Sequence, residues 1–224
     1  MCHMATVSFI GSGNIGATVA RLAVAAGYDV VVSNSRGPET LADLVKSLGH
    51  RARAVTATEA AEAGEFVVVS VPFKAYRELP VVQLADKVVL DTNNYYPQRD
   101  GRFSELDEGT TTSAELEQRH LGTARLVKVF NNIYYRHLAS LARPVGAADR
   151  TALPIASDDA NAMKTATAFL DAIGYDAVEV GPLSESWRFE PDTPVYGTPY
   201  GSYDTAGTPA GIADVQAAVA AATR

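Results

Sequence analysis

Three glycines near the start of the chain have the spacing that holds the pyrophosphate of a dinucleotide. They form the pattern G-x-G-x-x-G in the run G-S-G-N-I-G, between a short apolar segment (residues 6–10) and a helix-prone one (residues 17–26). This strand, turn and helix context is the one that the dinucleotide fingerprint requires. An ordinary glycine turn is the alternative. The pattern predicts that the cofactor is contacted by Gly11, Ser12, Gly13, Asn14, Ile15 and Gly16.

The residues that follow the second predicted strand, residues 28–33, indicate which dinucleotide fits. NAD sites usually place Asp or Glu there, whereas NADP sites remove that charge and offer Arg to the 2′-phosphate. Here no acid occurs before Glu39, and the guanidinium of Arg36 suits bidentate contact with a phosphate. A polar turn with a solvated arginine is the simpler alternative. We predict NADP, held by Ser33, Asn34, Ser35 and Arg36.

Three further predicted strands end in residues that suit a ligand. In an open α/β sheet, ligands bind beyond the carboxyl ends of the strands. The alternatives are purely structural: a proline that ends its strand, asparagines that favour turns, and a histidine on a helix face. His137 is the only histidine near the expected cleft. The three groups are Val71, Pro72 and Phe73; Asn93 and Asn94; and Asn131, Asn132, Tyr135 and His137.

Alternating apolar strand-like and helix-like segments position these groups. They predict an α/β fold of the Rossmann type over residues 1–181, a doubly wound, mostly parallel sheet with helices on both faces. From residue 182 the composition changes to a segment rich in Pro, Gly and Tyr, followed by an Ala-rich helix over residues 210–222. Aromatic residues suit a cover or an interface. Residues 182–224 are therefore predicted to cover the cleft or to form a dimer contact.

Composition excludes several classes of protein. The formal charge of −7 argues against a general binder of nucleic acid or of anionic membranes. The single cysteine, Cys2, excludes an internal disulfide and a cysteine-cluster metal site, and we assign it no role. No run resembles a membrane span, a signal peptide or an HExxH metal motif. We expect a cytoplasmic protein without a metal.

Five motifs together resemble the NADPH-dependent coenzyme F420 reductases, or F420:NADP oxidoreductases. The motifs are G-S-G-N-I-G, S-N-S-R, V-P-F, V-K-V-F-N-N-I and G-P-L-S-E-S-W-R-F-E-P, in that order over nearly the whole chain. The resemblance implies that residues 12–15 contact the pyrophosphate and that Ser35 and Arg36 hold the 2′-phosphate. It places Phe73 near the cofactor and the turn from Asn131 to Tyr135 beside the nicotinamide and a stacked deazaflavin.

Two departures from that family leave the hydride partner open. Its members carry a G-G-T-G loop and a histidine where this chain has Gly-Ser-Gly and Asn131. We find no Tyr-x-x-x-Lys pair, and missing acid–base residues suit hydride transfer between NADPH and coenzyme F420 or a flavin, with Asn131 and Asn132 as orienting groups. The alternatives are a reductase of a small carbonyl or imine compound, with His137 or a tyrosine from residues 195–203 as proton donor, and a non-catalytic NADPH sensor. A homodimer is expected.

Overall fold

The computed structural model describes residues 5–224, so Cys2 and the other three residues before Ala5 lie outside the described part. Within the described range the chain forms eight strands and ten helices, together with short 3-10 turns. The strands are Thr6–Ile10 (β1), Asp29–Ser33 (β2), Ala52–Ala54 (β3), Phe66–Val69 (β4), Val88–Asp91 (β5), Arg125–Lys128 (β6), Ala152–Ala156 (β7) and Asp176–Gly181 (β8). The helices are Asn14–Ala25 (α1), Ala42–Leu48 (α2), Ala57–Ala63 (α3), Val81–Leu84 (α4), Pro97–Asp100 (α5), Ser104–Asp107 (α6), Ser113–Leu121 (α7), Tyr135–Ser140 (α8), Ala160–Ile173 (α9) and Ile212–Ala220 (α10).

The strands form one sheet in the order β3-β2-β1-β4-β5-β6-β7-β8. Neighbours are parallel except β6 and β7, so the carboxyl ends of β1, β2, β4, β5 and β6 meet at one edge. Strands β4 and β5 are buried along their whole length because helices cover both faces of the sheet. The predicted fold class is confirmed.

Helices α1 and α9 pack on one face, and α3 and α7 pack on the other. Two of these helices begin with a reciprocal capping box, Thr56 with Glu59 at α3 and Thr112 with Glu115 at α7. Each box satisfies backbone N–H groups that the first helical turn leaves free. Helix α1 has no such side-chain cap, and its start faces the sheet edge where the strands end.

The reversal between β6 and β7 rests on a single residue pair, Lys128 with Ala156. These are the last residues of the two strands, so β7 begins about four residues, or ~13 Å, beyond the end of β6. Pro154 has no backbone N–H to donate to a longer ladder. Strands β7 and β8 therefore rise past the edge where the other strands end.

Residues 182–224 pack onto this raised part of the sheet. Helix α10 lies against β7 and β8, and the 3-10 turn that directly follows β8, Leu183–Phe189, lies against α7 and the same two strands. Phe189, Val195 and Tyr200 are buried in the main core. The C-terminal segment is thus an integral part of this chain's fold.

Candidate active site

The glycine-rich loop joins the end of β1 to the start of α1, and two of its glycines are required by close packing. A Cβ atom on Gly11 would lie 2.0 Å from the carbonyl oxygen of Ser70, and one on Gly16 would lie 2.3 Å from the carbonyl oxygen of Gly11. At Gly13 a Cβ atom would meet no heavy atom within 4 Å. The first and third glycines serve the protein's own packing, whereas the second faces open space in front of α1.

That open space suits an anion. Helix α1 has twelve residues, no side-chain cap on its first N–H groups and no acidic residue in its first turn. Free N–H groups and the helix dipole together favour negative charge at such a position. The loop therefore fits the pyrophosphate of a dinucleotide.

One cavity, of about 370 Å³, extends from the glycine loop toward the end of β2. Asn34, Ser35 and Arg36 line it on one side, and Val71 and Pro72 line it on the other. The side chain of Asn34 shapes this turn, because its Oδ1 accepts the backbone N–H of Arg36 at 3.0 Å and its Nδ2 donates to Thr40 at 2.8 Å. Ser35 and Arg36 are left exposed at the cavity. This end of the site can hold a phosphate.

Two predicted cofactor contacts are corrected here. Ser33 is fully buried, and its hydroxyl donates to the carbonyl of Phe9 at 2.9 Å, so it cannot reach a phosphate. Phe73 is also fully buried, with its ring stacked on Tyr76 at 4.9 Å between centroids and edge-on to Phe103. Both side chains belong to the interior beneath the cavity.

A second cavity, of about 480 Å³, continues along the same edge of the sheet. It shares the turn formed by Ser70, Val71 and Pro72 with the first cavity. Its other walls come from the start of α1, the exits of β5 and β6, and the C-terminal segment. They are formed by Asn14, Ile15, Thr92, Asn93, Asn94, Tyr96, Arg99, Asn131, Asn132, Ile133, Tyr134, Tyr135, Tyr196 and Tyr203.

The asparagines in this cavity are held in fixed orientations. Asn94 Nδ2 donates to the carbonyl of Asn131 at 2.7 Å, and Asn131 Nδ2 donates to Asn94 Oδ1 at 3.1 Å and to the carbonyl of Phe189 at 2.8 Å. Asn132 Nδ2 donates to the carbonyl of Val195 and to the hydroxyl of Tyr200. These bonds fix both amide groups from their nitrogen side.

The amide oxygens of Asn131 and Asn132 are buried and have no hydrogen-bond partner among residues 5–224. Buried acceptors normally have a partner, so two such atoms in residues that line one cavity are candidate acceptors for a donor from a ligand. The carboxamide of a nicotinamide and the hydroxyls of its ribose are donors of this kind. The residues present therefore fit the nicotinamide end of the cofactor.

His137 does not take the catalytic position predicted for it. Its ring is fully buried on α8, with Nε2 at 3.1 Å from the carbonyl of Ser202, and it packs behind Tyr134 and Tyr203. It does not line either cavity. The prediction of a direct role is wrong because the neighbouring tyrosines separate the ring from the cleft.

Tyrosines provide the aromatic lining instead. Tyr135 lines the cavity. The pKa of the Tyr135 phenol is lowered mainly by a hydrogen bond that Arg136 Nε donates at 3.1 Å, and also by a hydrogen bond with Tyr134. Across the cavity the hydroxyls of Tyr96 and Tyr196 are hydrogen-bonded, and burial raises the pKa of Tyr196. Tyr196 and Tyr203 bring the C-terminal segment into the wall of the site.

Residues 6–95 match the protein family described as NADP oxidoreductase, coenzyme F420-dependent. Over this segment, which is less than half of the chain, the sequence is similar to that family. The protein is an NADP-dependent oxidoreductase, as its sequence predicts. The matched segment contains the glycine loop, the turn with Arg36, and the asparagine pair that follows β5, Asn93 and Asn94. The second asparagine pair, Asn131 and Asn132, lies beyond the matched residues.

Solved structures with the same fold include a hypothetical protein from Sinorhizobium meliloti, 26% identical, with a TM-score of 0.73 over 86% of this chain and 93% of that one. A candidate F420-dependent NADP reductase from Arthrobacter sp. FB24 is 20% identical, with a TM-score of 0.69 over 81% and 87% of the two chains. A pyrroline carboxylate reductase from Plasmodium falciparum, with NADP bound, is 10% identical, with a TM-score of 0.55 over 83% of this chain and 60% of that one. No curated protein matches the sequence.

Sequence reasoning missed a charged cluster beneath the cavities. Lys128, Asp91 and Glu117 are each fully buried, and Lys128 Nζ lies 2.8 Å from Asp91 Oδ2. Burial raises the pKa of Asp91 and raises that of Glu117 well above its usual value. The available signal was a lysine inside the apolar run R-L-V-K-V-F.

Residues 5–224, the part of the chain that the structure describes, lack two features that bear on function. They contain no group of three or more His, Cys, Asp or Glu side chains placed to bind a metal ion. None of the helices described has both the length and the apolar character needed to cross a membrane.

Proposed function

We propose that the protein transfers hydride between NADPH and a planar deazaflavin or flavin, such as coenzyme F420. The observation that carries the proposal is the pair of adjoining cavities, one ending at Arg36 and the other lined by Asn131 and Asn132, whose amide oxygens have no partner among residues 5–224. The family match supports NADP as the coenzyme, and five tyrosines beyond the asparagines suit an aromatic partner.

Each part of the site would then have a separate task. The start of α1 binds the pyrophosphate, Ser35 and Arg36 bind the 2′-phosphate, and Asn131 and Asn132 accept hydrogen bonds from the nicotinamide end. Bound NADPH supplies the hydride. The side chains around it mainly fix distance and angle and exclude water, which is the protein's usual contribution to transfer between two cofactors.

The test compares three oxygen-free mixtures that all contain the protein and NADPH: one with coenzyme F420, one with a flavin and one with no acceptor. The loss of NADPH absorbance is followed in each. We expect oxidation only when an acceptor is present. Tight NADPH binding without turnover on either acceptor would contradict the proposal and favour the sensor alternative.

A second candidate function is reduction of a small imine or carbonyl compound. Tyr135 favours it, because its phenol lies at the cavity and the bond from Arg136 lowers its pKa, which suits a proton donor. It would replace His137, which is buried away from the cleft. Tyr135→Phe should abolish turnover of such a compound while NADPH still binds, whereas hydride transfer to a flavin should persist.

A cytoplasmic location and a homodimer stay predictions. Light scattering of the purified protein at several concentrations would decide the second.

A further inference from the structure

The buried cluster of Lys128, Asp91 and Glu117 lies directly below the strand exits that carry the site asparagines. Asp91 is the last residue of β5 and Lys128 is the last residue of β6, so their side chains meet between two parallel strands at the edge where the cavity begins. Glu117 reaches the same place from α7.

We propose, resting on the proposed function, that Lys128 is a positioning residue for the nicotinamide end of the cleft. Its Nζ donates to the carbonyl of Asn93, which belongs to the peptide that leads into Asn94. The backbone N–H of Asn93 donates to Asp91 Oδ1 at 2.7 Å, and Asn93 Oδ1 accepts the N–H of Val71 at 2.9 Å. The ion pair thus holds the turn after β5 and ties it to the turn after β4.

The turn after β5 fixes the side chain of Asn131. Asn94 and Asn131 exchange two hydrogen bonds, so the direction of the Asn131 amide follows the position of the peptide that Lys128 holds. The unpartnered oxygen of Asn131 is therefore two contacts away from the buried ammonium group.

The third donor of Lys128 reaches the opposite wall. Nζ lies 3.2 Å from Ser113 Oγ, and that hydroxyl donates to Glu190 at 2.6 Å. The residue before it, Phe189, accepts the second bond of Asn131 Nδ2. All three donors of the ammonium group are used, and through these contacts they position both acceptors of Asn131 Nδ2, which are Asn94 Oδ1 and the carbonyl of Phe189.

A buried ion pair is a weak source of stability, since replacing both partners by neutral groups of similar size is often tolerated. Removing one partner alone would leave an uncompensated charge and destabilise the fold. The informative variant is therefore Lys128→Met combined with Asp91→Asn. Lys87→Met is the matched control, because Lys87 also donates to main-chain carbonyls, those of Glu62 and Gly64, but at the opposite edge of the sheet.

The readout is the ratio of two dissociation constants, for NADPH and for adenosine 2′,5′-bisphosphate, which lacks the nicotinamide. We expect the double variant to bind NADPH roughly tenfold more weakly, the scale of coupling through a contact network, and to bind the bisphosphate as the wild type does. Lys128→Gln with Asp91→Asn keeps a donor for the Asn93 carbonyl and should recover part of the loss. The control should leave the ratio unchanged.

Equal losses for both ligands, or an unchanged ratio, would overturn the positioning role. If the double variant does not fold, as judged by circular dichroism, Asn94→Ala breaks the same chain of contacts and should give the same selective loss. Wild-type protein that binds NADPH but reduces no acceptor would overturn the proposed function and leave the ratio readable. Wild-type protein that binds neither ligand would overturn both.

Discussion

Replacing Gly13 with alanine separates ligand binding from folding at the glycine loop. The backbone of Gly13, with φ −70° and ψ −168°, is one that alanine adopts without strain, and its added Cβ would meet no protein atom within 4 Å. Alanine is a poorer residue than glycine at a helix start but restricts the unfolded chain, so we expect a change below about 1 kcal/mol in the free energy of unfolding.

Binding should respond much more strongly. The methyl group would occupy the space in front of α1 where the backbone approaches the pyrophosphate, and hydrogen bonds to a charged phosphate contribute about 1.5–3 kcal/mol each. Loss of one such bond corresponds to a rise of at least about tenfold in the dissociation constant for NADPH.

Gly11→Ala is the matched comparison in the same loop. Its Cβ would lie 2.0 Å from the Ser70 carbonyl oxygen, and its φ of +101° strains any side chain, so we expect about 2–5 kcal/mol of destabilisation. Urea unfolding measures stability, and quenching of protein fluorescence measures NADPH affinity. If Gly13→Ala bound NADPH as tightly as the wild type, the pyrophosphate would not lie at this helix start and the interpretation of the loop would be wrong.

Three other substitutions test separate parts of the molecule. Arg36→Ala should weaken the binding of NADPH by about 1.5–3 kcal/mol and leave the binding of NADH nearly unchanged in parallel titrations. The control Arg53→Ala, which removes another exposed arginine, should change neither affinity. Equal losses for the two coenzymes would show that Arg36 does not contact the phosphate. Burial and the nearby Asp91 charge raise the pKa of Glu117 above its usual 4.5. As pH rises through 4.5, the unfolded chain therefore loses a proton that the native state keeps, and this group lowers the stability of the fold at higher pH. Glu117→Gln should therefore raise the free energy of unfolding at neutral pH and change it less at acid pH; urea unfolding with the reverse trend would contradict the protonated state. Arg150→Met should cost roughly 2–4 kcal/mol in the same assay, because a buried guanidinium there bonds two carboxylates and two carbonyls, whereas the more exposed Arg51→Met should cost below about 1 kcal/mol.

The order of strands and the glycine loop could be predicted because each depends on local pattern. Apolar runs mark the buried strands, and the loop has fixed spacing between a strand and a helix. The end of a strand is harder to locate, since Val71 and Phe130 continue an apolar run after the ladder has stopped at Val69 and Lys128. Burial of hydrophobic side chains does not require pairing of the backbone.

The direction of individual side chains could not be predicted from a strand that is buried on both faces. In such a strand, apolar residues stand at every position, so periodicity does not distinguish the face of Ser33 from that of Asn34. The prediction for His137 was wrong for a related reason. A six-residue helix is too short to reveal which of its faces is covered by a segment sixty-five residues later in the chain. The Lys128 cluster depends on pairing between distant strands and on α7, which no local pattern records.

The two cavities share Ser70, Val71 and Pro72 and both border the glycine loop or the start of α1, whereas most of their other linings among the described residues come from separate stretches of the chain. One stretch follows β2, and the other combines the exits of β5 and β6 with the C-terminal segment. On the proposed function, mutations that alter coenzyme preference and those that alter the choice of hydride acceptor would therefore fall mostly in different parts of the gene. Relatives with this scaffold could diverge in one property while inheriting the other intact.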